Sequence, residues 1–101
     1  MLNVSYHTAF DFQNQPLNQC FELANKLIDQ KRNKEAIALL EIAEQFYLQR
    51  ANIYYHLSKA YKGVNKGEMI EYLQKCIDLN PGFKPAVLEM ANQDPSTYKQ
   101  V

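Results

Sequence analysis

Apolar positions along this chain recur in five bursts at helical spacing, parted by short polar breaks. In the first burst Leu17, Cys20, Phe21, Leu23, Ala24, Leu27 and Ile28 follow i, i+3, i+4, i+7 spacing, which predicts an amphipathic helix over Leu17–Asp29. Pro16 stands just ahead, suited to a helix start. Lys31-Arg32-Asn33 breaks the stripe. The second burst is Ala36, Ile37, Leu39, Leu40, Ile42, Ala43, Phe46 and Tyr47. Asn33 is its expected N-cap, and Glu35 in the first turn favours the helix dipole.

A third burst runs Ile53, Tyr54, Leu57, Ala60 and Tyr61, with Gly63 expected to end it in a left-handed C-cap. Asn65 and Gly67 supply turn chemistry. The fourth is Met69, Ile70, Leu73, Cys76 and Ile77, with Leu79 near its end. Pro81-Gly82 stops it, because Pro cannot continue the hydrogen-bond ladder. Pro85 opens a fifth, Val87, Leu88, Met90 and Ala91, and Asp94-Pro95 closes it before a polar tail. The expected fold class is all-α, and connections this short make antiparallel neighbours.

The bursts also repeat one another. Leu23-Ala24 and Leu27 match Leu57-Ser58 and Tyr61 at one common offset. Ala36 and Ala43 match Met69 and Cys76 at an offset shorter by one, and the missing residue is expected in the Gly63–Gly67 turn. Val87, Met90 and Ala91 repeat Tyr54, Leu57 and Ser58 at that same shorter offset, as half of a third copy.

On these residues the chain resembles the tetratricopeptide repeat (TPR) family, a helix–turn–helix unit with a period of about 34 residues. The second copy carries Tyr54, Leu57, Ser58, Tyr61, Leu73, Cys76 and Pro81 in the family's order. The first carries Cys20, Leu23, Ala24, Leu27, Ala36, Leu40 and Ala43, and has Leu48 in place of the Pro. The resemblance implies antiparallel helix pairs stacked as a short right-handed superhelix, an α-α solenoid. The division expected is an N-terminal extension (1–16, extended or a short helix), two repeats (17–50 and 51–83), a capping helix (84–94) and a tail (95–101).

Composition narrows the function. The chain has 101 residues, 47% of them hydrophobic, with 7 Tyr and 5 Phe, so one domain with a modest core is expected. Eleven basic residues balance eleven acidic ones, which leaves no field to attract nucleic acid or anionic lipid. Cys20 and Cys76 fall within apolar stripes and read as reduced core thiols. The N-terminus lacks the pattern of a signal peptide. The stretch AIALLEIAEQFYL is interrupted by Glu41 and Glu44, too short and too polar to span a membrane. A cytoplasmic setting is expected, in which the sequon at Asn3 means little.

Catalysis finds no support in the spacing. His7 and His56 are the only histidines, and neither forms a nucleophile–base or metal-ligand motif with Cys, Ser or Asp. The three glycines lie in turns and cradle no phosphate. We expect no enzyme, no cofactor and no metal.

In the TPR family the first helix of each repeat lines a concave groove that receives an extended peptide or a partner helix. Carried over by position, the groove residues are Asn18, Phe21, Asn25, Ile28 and Asp29, then Asn52, Tyr55, His56, Lys59 and Lys62, with Leu88, Glu89 and Asn92 extending the surface. The competing reading is that Phe21, Ile28 and Tyr55 are only core. One subgroup grips the tails of chaperones with a Lys, Asn and Arg clamp. Here only Asn25 matches it: Phe21, His56, Pro85 and Glu89 stand at the other positions, so an apolar or mixed ligand fits better.

The resemblance therefore implies an adaptor that binds a peptide or helix of another protein. Alternatives are a self-assembling homodimeric module and a dedicated chaperone for a secreted protein. Val4, Tyr6, Thr8, Phe10 and Phe12 alternate with Asn3, Ser5, His7, Ala9 and Asp11, and the segment has three readings. The segment fills a groove of its own chain or a twofold mate, forms a short helix on the first repeat, or stays disordered until a partner arrives. Packing on a repeat is favoured, because exposed aromatic clusters are usually covered.

Overall fold

The computed structural model describes residues 10–93. The alternation at Val4, Tyr6 and Thr8 and the polar tail lie outside the described residues. Five helices follow in order: α1 (Leu17–Asp29), α2 (Asn33–Phe46), α3 (Ala51–Tyr61), α4 (Lys66–Leu79) and α5 (Lys84–Gln93). No strand occurs among the described residues, so the fold is all-α. Helix α1 packs on α2 and α3, α2 on α3, α3 on α4, and α4 on α5. The connections within α1–α2 and α3–α4 are so short that each pair must double back as a hairpin.

The helix starts repeat as the stripes do. Leu17 of α1, Ala51 of α3 and Lys84 of α5 open successive copies, and Asn33 of α2 and Lys66 of α4 open their second helices. Only the step from Leu17 to Ala51 has the longer of the two offsets; the others are shorter by one. Helices α2 and α4 both run 14 residues, whereas α3 has 11 residues against 13 for α1. The one-residue difference between the hairpins thus falls between the last turn of α3 and Lys66.

Several of the repeating positions are fully buried. Leu40 and Leu73, Ala43 and Cys76, and Ala24 and Ser58 occupy matching places, all at 2% exposure or less. Small residues here bring the helix backbones close, and leucines fill what remains. Among the described residues Ser58 is the buried polar one, and its hydroxyl donates to the Tyr55 carbonyl at 2.6 Å. Cys20 and Cys76 are buried free thiols, their pKa values pushed up by burial to about 12 and about 11.

The core divides in two. One cluster joins α1, α2 and α3 around Leu39, Leu40, Ile53 and Leu57, and the other joins α4 and α5 around Leu73, Ile77, Ala86 and Met90. Tyr54 and Tyr61 pack against both. They stack on Tyr72 at ring-centroid distances of 5.9 and 5.6 Å, with Lys75 5.0 Å above the Tyr72 ring. Tyr54 donates its hydroxyl to Glu44 at 2.8 Å.

Phe10 and Phe12 are buried in the first cluster. Phe12 stacks on Phe46 at 5.0 Å, and its carbonyl accepts from the Tyr47 hydroxyl. Asp11 to Gln15 form a turn: the Asp11 carboxylate accepts from the Gln13 amide at 3.0 Å, and its carbonyl accepts from the Gln15 amide at 2.8 Å.

The N-cap of α2 is Arg32, not the expected Asn33. The Asn33 side-chain amide is used elsewhere, donating to the Ala60 carbonyl of α3 at 2.8 Å. Arg32 instead reaches forward to Glu35, with Nη2 donating to Oε2 at 2.8 Å. Asn65, expected only as a turn residue, caps α4, its side-chain oxygen accepting from the Glu68 amide at 3.1 Å.

Candidate cleft along helix α3

Helix α3 turns Ile53, Leu57 and Ala60 into the core, while half-buried Tyr55, which also packs on the second core, half-buried Lys59 and, just past the helix end, Lys62 border an opening. A cleft of about 300 Å³ lies there, lined by Ile28, Tyr55, Ser58, Lys59, Lys62, Met69 and Glu89. Four elements contribute: α1 through Ile28, α3 through its middle and last turns, α4 through Met69, and α5 through Glu89.

Each wall is fixed by contacts between helices. Lys59 Nζ donates to Asn25 Oδ1 of α1 at 3.0 Å and lies 5.6 Å from the centroid of the Tyr55 ring. Tyr55 meets Phe83 edge-on at 5.3 Å. Lys62, the residue that follows α3, and Glu89 of α5 form an ion pair at 3.0 Å. Glu89 also accepts from Gln93 at 2.7 Å. Burial works against the Glu89 charge, but the bonds from Gln93 and Lys62 outweigh it and hold the carboxyl below its ordinary pKa.

Beside the cleft, Phe21 of α1 and His56 of α3 stack face to face, 4.1 Å between centroids and 4° from parallel. His56 Nδ1 lies 2.9 Å from the Asn52 carbonyl, which can only accept, so Nδ1 carries the proton. Burial lowers the His56 pKa; the bond to Asn52 opposes this and the Lys59 charge adds to it.

Of the residues named from the sequence, Ile28, Tyr55, Lys59 and Lys62 line the cleft, together with Glu89. Asn25 holds Lys59, while Phe21 and His56 form the adjoining stack. Asn18 and Asn52 are exposed on α1 and α3 and do not line the cleft. Leu88 is 66% exposed on α5 and also lies off it. Ser58 and Met69 are cleft residues that the repeat positions do not mark as groove. Ser58 reads as a small packing residue, and Met69 belongs to a second helix, so no sequence signal separates them from core.

No protein-family model matches the chain, and no curated protein matches it. Among the described residues no group of three or more His, Cys, Asp and Glu gathers to hold a metal. No helix there is long and apolar enough to cross a membrane.

Proposed function

We propose that the chain is a non-catalytic protein-interaction module, a short TPR-like stack of two helical hairpins and a capping helix. Its cleft along α3 takes an extended segment of a partner protein. The observation that carries this reading is that Ile28 of α1, Tyr55 and Lys59 of α3, a helix of equivalent repeat position, and Lys62 just past it line one open cleft. Two further facts support it: the helix starts recur with the period of the stripes, and α1 packs on α3 as well as on its own hairpin mate. An aromatic ring beside a cation supplies both apolar area and polar contact, a combination enriched at interfaces.

The test is capture of partners by the native chain and by a Tyr55→Ala, Lys59→Ala double variant. A partner held by the native chain and lost by a variant of unchanged helicity supports the cleft. Equal capture by both removes it.

Self-association is a second reading, favoured by one feature. Phe46, the last residue of α2, which stacks on buried Phe12, is 54% exposed, and Leu48 just beyond the helix is 72% exposed. A second chain would cover them. Light scattering across a hundredfold range of concentration decides it: a constant monomer mass excludes the dimer.

A further inference from the structure

The charges around the cleft are unevenly matched. Lys62 and Glu89 pair with each other, and Glu89 takes a second bond from Gln93, so their charges are spent locally. Lys59 belongs to neither ion pair found among the described residues. Its partners are a neutral amide oxygen on Asn25 and the face of the Tyr55 ring. The cleft therefore holds one uncompensated cation next to an apolar lining of Ile28, Tyr55 and Met69.

This inference rests on the cleft being the binding site. A wholly apolar ligand would cover Lys59 and strip its water without replacing it, which is costly for a lone charge. A ligand that brings a carboxylate removes that cost and adds a charge-assisted hydrogen bond. We propose that the cleft selects an extended internal segment of a partner protein in which an apolar residue stands two positions from an Asp or Glu, the carboxylate pairing with Lys59.

The spacing follows from geometry. In an extended chain residues i and i+2 point to the same side, roughly 6.6 Å apart along the strand. Lys59 Nζ stands 5.6 Å from the Tyr55 ring centroid, so one side chain can lie against the ring while the other reaches the ammonium. The cleft volume, about 300 Å³, is at the small end for ligand sites. It suits one apolar side chain and one carboxylate rather than the broad face of a helix.

The test uses the full chain, immobilised, and amidated, N-acetylated decapeptide libraries. Leu is fixed at the fifth position, Asp, Asn or Lys at both the third and the seventh, so that either chain direction is sampled, and the rest are randomised. The Asp library is expected to be enriched about tenfold over the Asn library, with the Lys library retained least. Lys59→Gln should abolish the Asp preference. Lys75→Gln, which removes an equal charge from the Tyr54 and Tyr72 rings on another part of the molecule, should keep it.

Equal retention of Asp and Asn libraries overturns the carboxylate inference while leaving the cleft intact, provided Tyr55→Ala lowers retention of both. If Lys75→Gln erases the preference as fully as Lys59→Gln, unspecific attraction explains it and the inference falls. If Tyr55→Ala changes the retention of no library, the cleft itself is not the site, and both readings fall. Helicity of each variant by circular dichroism separates lost binding from lost folding.

Discussion

The two hairpins share a frame and differ in what fills it. Helices α2 and α4 match residue for residue in length, and Leu40 and Leu73 are both fully buried at the same place. Yet Cys20 of the first hairpin corresponds to Tyr54 of the second, and Leu39 to Tyr72. The first hairpin closes its core with aliphatic side chains and with Phe10 and Phe12 from outside the repeat. The second carries an aromatic joint, Tyr54 and Tyr61 stacked on Tyr72, which contacts both cores. Leucines and small residues set the frame, and aromatic residues set how one hairpin meets the next. A tyrosine there brings a hydroxyl that needs a partner, and Glu44 provides it.

If the frames are equivalent, equal truncations should cost equal stability. Leu40→Ala and Leu73→Ala are each expected to lower unfolding free energy by about 2–5 kcal/mol, read by urea denaturation. A large cost at one site and almost none at the other breaks the comparison. A smaller effect, about 1–3 kcal/mol, is expected from Ala43→Phe, which forces a ring into a fully buried position between helices. Unchanged thermal unfolding would remove Ala43 from the helix contact.

His56 links the hairpins differently, through its stack on Phe21. Its pKa is lowered in the folded chain, chiefly by burial, with the nearby Lys59 charge adding to the effect and Asn52 resisting it. Between the lowered value and the ordinary one, about 6.5, the unfolded chain binds a proton that the folded chain refuses. Stability from this residue is complete above that range and is lost as pH falls through it. The urea midpoint should therefore drop between pH 7 and pH 5, and His56→Gln should flatten the drop. A drop of the same size in His56→Gln assigns it to another group.

Much of the helical frame was legible because it depends on local spacing. The stripe from Leu17 to Asp29 coincides with α1, and Pro81-Gly82 falls just beyond the end of α4 at Leu79. Burial of Cys20 and Cys76 follows from their places in the stripes. What joins distant elements was not legible. The Phe21–His56 stack, the Lys62–Glu89 pair and the Lys59–Asn25 bond depend on how helices rotate against each other, which a single stripe does not encode. Asn33 shows the same boundary. Locally it is a good cap, but Ala60 of another helix offers its amide a partner, and Arg32 holds the cap position.

The smallest expected effect probes how the hairpins are closed. Helix α1 ends in a Schellman motif: the Arg32 amide donates to Leu27 O at 2.8 Å and the Lys31 amide to Ile28 O at 2.9 Å. Lys31 lies between them in the left-handed region, at φ 65°. In the second hairpin Gly63 is left-handed, at φ 86°, but it belongs to a different closure. Lys62 has φ −62° and ψ 124°, and the Val64 amide donates to Tyr61 O at 2.8 Å, so Tyr61 to Val64 form a type II turn with Gly63 at its third position. Helix α3 is shorter than α1 for this reason, and the expectation of a C-cap at Gly63 gives way to a tight turn. A side chain in the left-handed region is disfavoured, so Lys31→Gly should raise stability by roughly 0.5–1 kcal/mol despite the added chain entropy. Gly63→Ala should lower it by about 1 kcal/mol, though a Cβ there would meet nothing within 4 Å. Opposite signs at the two sites, measured by urea denaturation, would show that backbone conformation rather than space governs both closures. A loss of stability in Lys31→Gly would mean that the flexibility gained by the unfolded chain exceeds the strain relieved at φ 65°.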